Sequence, residues 1–182
     1  MASSYTCTLF ILNFLLLSLS TVSSYEDDFV ETLVATRMEK TSHLHFYFQD
    51  RPGGRNPTAV QIIGGKGLGF GATYMIDDAL TRSMDRGSEI IGRAQGLYSV
   101  ATQNDLGLLM VVSFCFTQGK YNGSSLSMLG RNHVFDDVRE MPIVGGSGLF
   151  RFARGYALAH TVWLDNKTGD ATVQYNVSVN HF

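Results

Sequence analysis

Segments that alternate between apolar and polar residues recur along this sequence, and they constrain the fold more than any other feature. In the segment HLHFYFQD at 43–50, Leu44, Phe46 and Phe48 share one face, and Asp50 ends that face. Further candidate segments lie at 59–63, 69–76, 89–100, 107–117, 124–129, 148–164 and 171–179. Because side chains alternate between the two faces of a β-strand, this pattern predicts one all-β domain of about eight antiparallel strands.

The same pattern bears on whether the sheet closes on itself. An open sheet of eight strands would leave two exposed edges, which secreted proteins usually cover or abolish. Small residues also share single faces before Tyr98 and Thr161: Gly92, Ala94 and Gly96 in the first segment, and Ala153, Gly155, Ala157 and Ala159 in the second. Such faces would leave room inside a barrel. They would equally suit a two-sheet sandwich, and the pattern alone favours neither.

The beginning of the chain predicts export. An apolar run at 9–19 is followed by small polar residues at 20–24, although residues 1–8 carry no Lys or Arg. We predict a signal peptide at 1–24, since a spanning helix needs about 20 apolar residues. An N-terminal extension at 25–42 and a barrel domain at 43–182 would follow. Asn122, Asn166 and Asn176 begin glycosylation sequons, which accords with secretion into the extracellular space.

Charge and histidine spacing exclude several kinds of ligand. Basic and acidic residues are nearly balanced, 14 against 16, so no basic stripe indicates nucleic-acid binding. His43 and His45 share a strand face, but no third ligand stands at a recognisable spacing. Beyond the leader, no segment is apolar enough to suggest a membrane span. We therefore predict a chain without metal, cofactor, nucleic-acid or membrane binding.

Six sequence motifs resemble those of the plant dirigent family, in the same order. They are HFYFQD at 45–50, NPTAV at 56–60, GRAQGLY at 92–98, GKYNGS at 119–124, GRN at 130–132 and REMPIVGGSGLFRFARGY at 139–156. The likeness extends over residues 43–181. It implies an eight-stranded antiparallel β-barrel with a central small-molecule pocket. It also implies a homo-oligomer in the plant cell wall space, usually a trimer, with a dimer as the alternative.

The resemblance implies two related functions. Family members lack an oxidative centre, so a separate oxidase such as a laccase makes phenoxy radicals. The protein then directs their coupling, or the quinone methide that forms, toward one enantiomer in lignan and other phenylpropanoid synthesis. Alternatively, some relatives are lyases that dehydrate an isoflavanol through a quinone methide and close the ring of a pterocarpan. A sugar- or protein-binding wall component without chemistry is a third class.

The resemblance also assigns candidate site residues. Asp50 would be the proton donor because an apolar surround could raise its pKa. Arg139 would hold the oxygen that becomes anionic. A turn-capping carboxylate and a surface ion pair are the structural alternatives for these two residues. The resemblance gives the remaining candidates for substrate binding as Tyr98, Asn132, Thr161 and Tyr175, and barrel filling is an equal alternative for the tyrosines and the threonine. Lignan-forming members carry Asp where Asn132 stands, so this residue resembles the pterocarpan-forming subgroups.

Overall fold

The computed structural model describes residues 38–64 and 67–182, which form nine β-strands and two short 3₁₀ turns. The strands are β1 (Lys40–Asp50), β2 (Ala59–Ile63), β3 (Thr73–Thr81), β4 (Ile90–Val100), β5 (Gly107–Phe116), β6 (Ser125–His133), β7 (Arg139–Ser147), β8 (Arg154–Leu164) and β9 (Ala171–His181). The 3₁₀ turns are Gly119–Tyr121 and Gly148–Phe150. Within these described ranges, no helix is long and apolar enough to cross a membrane.

The sheet closes into the predicted eight-stranded antiparallel barrel. Its strand order is β1-β9-β8-β7-β6-β5-β4-β3, and β3 returns to β1 through the pairs Tyr47–Thr81, Phe48–Leu80 and Gln49–Ala79. The ninth strand, β2, pairs with the part of β3 that β1 leaves uncovered, Thr73–Ile76. Closure removes the open edges that an eight-stranded sheet would expose, so the barrel is correct and the sandwich is not.

Two predicted strand positions differ from the structure. The segment at 59–63 is a strand, but it is β2, which lies outside the closed ring of eight. The eighth barrel strand is β7, which the alternation did not reveal because Pro142, Gly145 and Gly146 interrupt it. Proline has no backbone N–H to donate, and here it faces outward on the strand. Strand β1 begins at Lys40, three residues before the predicted start.

Aromatic rings fill one end of the barrel lumen. We call this cluster the aromatic plug: Phe46, Phe114, Phe116, Tyr121, Phe150 and Tyr175. The rings of Phe46 and Phe114 lie 5.1 Å apart, and those of Tyr121 and Phe150 lie 4.5 Å apart. These distances are typical of favourable edge-to-face and tilted ring pairs. The plug therefore supplies much of the buried core and leaves the space at the other end of the lumen unfilled.

The sequence analysis suggested that the small residues of β4 leave room inside the barrel, but the structure gives them a different role. Gly96 has a φ of 150°, and a Cβ atom built there would lie 2.1 Å from the carbonyl oxygen of Val111 on β5. The glycine is required because the neighbouring backbone approaches too closely for any side chain. Ala94, in contrast, is fully buried among the core residues. The small residues thus serve wall curvature and core packing.

The predictions for the beginning of the chain lie mostly outside the described residues. These are the signal peptide at 1–24 and the first part of the extension at 25–42. Of the extension, residues 38–42 are described, and the last three belong to β1. The barrel itself occupies nearly all of the predicted domain at 43–182.

Candidate functional site

A cavity of about 450 Å³ occupies the end of the barrel opposite the aromatic plug. Side chains of all eight barrel strands form its wall, and the loops around residues 52, 67–68, 134–135 and 165–169 surround its mouth. This volume lies within the range of about 300–1,000 Å³ that is usual for small-molecule sites. The wall is mainly apolar, and its polar groups are few and convergent. The six predicted site residues all line it: Asp50, Tyr98, Asn132, Arg139, Thr161 and Tyr175.

Asp50 ends strand β1 and points into this cavity. Burial raises the pKa of its carboxyl well above the usual value, and the charges of Asp78 and Asp170 raise it further. The backbone N–H of Arg51 and the charge of Arg86 oppose this shift. Among the described residues, none donates a hydrogen bond to Asp50 Oδ1. The group therefore favours its protonated form and presents an unpaired oxygen.

Arg139 begins strand β7 and is only 4% exposed. Its Nε donates to Asn132 Oδ1 at 3.1 Å, its Nη2 donates to Thr161 Oγ1 at 2.9 Å, and its Nη1 donates to the backbone oxygen of Asp136 at 3.3 Å. Burial lowers the pKa of Arg139, but a guanidinium remains charged at any physiological pH. In the described ranges no carboxylate forms an ion pair with it, although the charges of Asp136 and Asp137 raise its pKa.

Asn132 and Thr161 orient this guanidinium. Both accept a hydrogen bond from Arg139, and the amide nitrogen of Asn132 lies 3.8 Å from the sulfur of Met110. Because neutral oxygens hold the guanidinium, its remaining N–H donors keep their full charge for an anionic ligand atom. The surface ion pair considered as the alternative for Arg139 is absent from the described part of the chain.

Two tyrosines complete the cavity wall. Tyr98 stacks on Tyr74 with ring centroids 5.1 Å apart, and Tyr175, a member of the aromatic plug, also lines the cavity. Burial raises the pKa of both hydroxyls, and the nearby charge of Asp50 raises both further. Both hydroxyls therefore stay neutral. The hydroxyl of Tyr98 is hydrogen-bonded to Asp50, and that of Tyr175 can donate a hydrogen bond to a phenolic ligand.

A second lumenal carboxyl, Asp78, was missed by the sequence analysis. It lies on β3, is fully buried and accepts a hydrogen bond from Thr58 Oγ1. Burial raises the pKa of Asp78 to about 6, although the hydrogen bond from Thr58 lowers it. The predicted segment at 69–76 stopped two residues short of it. Extending the alternation from Tyr74 and Ile76 would have placed this acid on the lumenal face.

The other predicted sites lie on the outer surface. The glycosylation candidates Asn122, Asn166 and Asn176 are all exposed, and Asn166 also borders the cavity mouth. His45 hydrogen-bonds Asn176 Oδ1, and His43 hydrogen-bonds Ser178. In the described ranges, no group of three or more His, Cys, Asp or Glu residues could hold a metal ion.

Comparison with known proteins identifies relatives over nearly the whole barrel. The family model of dirigent-like proteins matches residues 41–180. Dirigent protein 23 of Arabidopsis thaliana is 50% identical over 154 residues, which cover 82% of each chain. Pterocarpan synthase 1 of Glycine max is 44% identical over 177 residues, covering 94% of this chain and 95% of its own. A solved pterocarpan synthase dirigent protein superposes with a TM-score of 0.77 at 43% identity, over 82% of this chain and 89% of that one.

Proposed function

Because the chain belongs to the dirigent family, we propose that its cavity binds one small phenolic molecule and directs the fate of its quinone methide. The activity that the geometry supports best is that of a lyase, which dehydrates an isoflavanol and closes the ring of a pterocarpan. The observation that carries this proposal is a buried carboxyl, Asp50, whose pKa is raised and which lines the same cavity as a guanidinium without an ion-pair partner among the described residues, Arg139. The likeness to pterocarpan synthase 1 of Glycine max supports it.

The acid performs the first half of the reaction. Asp50 gives its proton to the benzylic hydroxyl, the carbon–oxygen bond breaks, and its electron pair leaves with the departing water. The phenol conjugated to that carbon releases its own proton to this water and becomes the quinone oxygen. A carboxyl whose pKa is raised by burial keeps its proton at higher pH and can donate it to the leaving group.

The guanidinium acts in the second half. A second phenol of the same molecule attacks the electrophilic carbon, and the electron pair returns to the quinone oxygen as a phenolate. Arg139 stabilises this developing negative charge, because its donors are fixed beforehand by Asn132 and Thr161. The attacking phenol returns a proton to the carboxylate, and the phenolate regains one from solvent. The net change is the loss of one water, and the cavity wall selects the face of attack.

Radical coupling is the second candidate function. Its support is the 50% identity to a protein named dirigent protein 23. In this function a separate oxidase, such as a laccase, supplies phenoxy radicals. The cavity holds the radical or the quinone methide in one pose so that coupling gives a single enantiomer.

One pair of assays tests both candidates. Purified protein is incubated with a racemic isoflavanol and no oxidant, and the pterocarpan is quantified by chiral chromatography. Turnover with one dominant enantiomer supports the lyase. Coniferyl alcohol with laccase is the second arm, and an enantiomeric excess there, with no isoflavanol turnover, supports radical coupling. If neither arm responds, the proposed chemistry is wrong.

Replacement of the acid provides the matched variant. We expect Asp50→Asn to lower isoflavanol turnover at least ~100-fold, as for loss of a general acid. Asp137→Asn, which changes an exposed carboxylate outside the cavity, is the control and should keep full turnover. Equal turnover of Asp50→Asn and its control would contradict the role of Asp50.

Self-association is proposed through a row of aliphatic side chains on the outer wall. Register places one residue each from β2 to β6 side by side: Val60, Met75, Leu97, Val111 and Leu129. Four of them are among the exposed hydrophobic residues, and a contiguous apolar surface favours contact with another protein surface. We expect Val111→Glu to reduce a trimer or dimer to monomer in sedimentation, while Thr41→Glu on β1 leaves it unchanged.

Export and glycosylation are also proposed for this chain. The exposure of Asn122, Asn166 and Asn176 supports glycan attachment. Expression in plant cells should yield a secreted protein whose mass falls on enzymatic deglycosylation, and N-terminal sequencing should find it beginning near residue 25. Retention inside the cell would contradict this proposal.

A further inference from the structure

The two lumenal carboxyls, Asp50 and Asp78, lie near each other at the seam that closes the barrel. The antiparallel pairs of β1 and β3 run Tyr47–Thr81, Phe48–Leu80 and Gln49–Ala79. The last of these pairs is Gln49–Ala79, and Asp50 and Asp78 are the next residues beyond it on the two strands. Both point into the lumen, since each is two residues from a lumenal neighbour, Phe48 and Leu80.

Their hydrogen bonding couples the two groups. The backbone N–H of Arg51 is hydrogen-bonded to both carboxyls. Each group also has one buried oxygen, Asp50 Oδ1 and Asp78 Oδ2, that accepts no hydrogen bond from the described residues. Buried acceptors without a donor are costly. A proton held between the two groups would supply the missing donor.

The surrounding charges do not neutralise this pair. Asp170 and Arg86, which face Asp50 from the loops after β8 and β3, form an ion pair with each other at 3.0 Å. Arg93, which faces Asp78, pairs with Asp77 on the outer surface. The remaining neighbours are neutral hydroxyls: Tyr74, Tyr98, Tyr175 and Thr58. Two carboxylates this close, without a counter-ion of their own, do not both ionise near neutral pH.

We propose that Asp50 and Asp78 hold a single proton between them, and that Asp78 is a positioning residue that keeps this proton on Asp50. Thr58 biases the proton toward Asp50, because the hydrogen bond that it donates to Asp78 favours the ionised form of that group. Asp50 is itself hydrogen-bonded to Tyr98. The inference rests on the proposed function in one respect, that Asp50 is the proton donor. It extends that function by adding a residue that no part of the reaction had used.

The pair also accounts for the return of the proton. After Asp50 has protonated the leaving hydroxyl, both carboxyls carry a negative charge in a buried site. This state is unfavourable, so the pair recovers a proton from the phenol that closes the ring. The substrate loses one water, and the pair ends each cycle with the one proton it began with. Asp78 itself forms no bond to the substrate.

The decisive experiment observes the carboxyls without substrate. Protein labelled with ¹³C at the aspartate carboxyl carbon is titrated by NMR, and the Asp50 signal is assigned by its loss in Asp50→Asn. We expect its transition to move to lower pH by about one unit or more in Asp78→Asn, since a like charge is removed. Asp77→Asn, which changes the adjacent outward-facing carboxylate, is the matched control and should leave the transition in place. An unchanged Asp50 transition in Asp78→Asn would overturn the proposal.

A second variant retains both carboxyls. Thr58→Val removes the hydroxyl that stabilises ionised Asp78, so the proton should move from Asp50 to Asp78 while the total number of bound protons stays the same. We expect the Asp50 signal to become that of a carboxylate at pH 6, and isoflavanol turnover to fall about tenfold. If the Asp50 signal keeps its wild-type position in this variant, the assigned role of Thr58 and Asp78 is wrong.

The activity profile separates this inference from the proposed function. In the lyase assay, the alkaline limb of the pH profile should move to lower pH in Asp78→Asn by the same amount as the NMR transition. If wild-type protein turns over no isoflavanol but the NMR transition moves, the proton pair stands and the function fails. If turnover depends on Asp50 but the Asp50 transition is unchanged in Asp78→Asn, the proposed function stands and the proposed proton pair is wrong.

Discussion

Replacing Asp78 by asparagine should make the protein more stable at alkaline pH. The folded pKa of Asp78 is about 6, raised from 3.8 by burial. For a group whose pKa is raised by folding, the stabilising contribution is complete below the unfolded pKa and is lost as pH rises through the folded one. A shift of roughly two units at 1.36 kcal/mol per unit gives a loss of about 3 kcal/mol between pH 4 and pH 8. Asparagine does not ionise, so the variant avoids this loss.

Urea unfolding at pH 4.5 and pH 8 measures this difference. At pH 8 the free energy of unfolding of Asp78→Asn should exceed that of wild type by up to about 3 kcal/mol, and at pH 4.5 this difference should fall to about 1 kcal/mol. Asp77→Asn should show no gain at pH 8, because the pKa of Asp77 is lowered by Arg93 rather than raised. A variant that is less stable than wild type at pH 8 would refute the reasoning, since Asp78 would then be stabilising as a carboxylate.

Three further substitutions test the plug, the wall and the guanidinium. Phe114→Ala opens a cavity in the aromatic plug and should lower the free energy of unfolding by about 3–5 kcal/mol in urea titrations. Gly96→Ala places a Cβ atom 2.1 Å from the carbonyl oxygen of Val111, and we expect loss of soluble folded protein on expression. Asn132→Asp pairs a carboxylate with Arg139, whose Nε lies 3.1 Å from that side chain, and should weaken calorimetric binding of a phenolate analogue about tenfold.

The sequence predicted the barrel through two kinds of information. Alternation in segments such as 43–50 and 171–179 located most strands. Each strand has one solvent-exposed and one buried face, so apolar residues recur at every second position. It could not find β7, because Pro142 and two glycines conceal the pattern in that strand. Nor could it choose between barrel and sandwich, which depends on the three residue pairs that join β1 to β3. The family resemblance supplied that choice.

The residues of the candidate site were also predicted only in part. Resemblance supplied Asp50 and Arg139, and the structure brings them to one cavity with their supporting residues. Asp78 lay outside this prediction because its importance arises from a pairing across 28 positions of sequence. Only closure of the barrel creates that pairing. The sequence near Asp78 shows only that an acid lies on an apolar strand face. Its proposed role depends on residues far away in the chain, which local patterns do not reveal.

The aromatic plug fills one end of the barrel lumen, and the cavity occupies the other end. In the proposed reaction, reactant, product and the expelled water would exchange at the cavity mouth, where the loop at 165–169 lies. Under the proposed function the cavity holds one molecule at a time, so a second reactant would enter only after the first product has left. The size of that opening, more than the rate of bond making, would then set how quickly one cycle follows another.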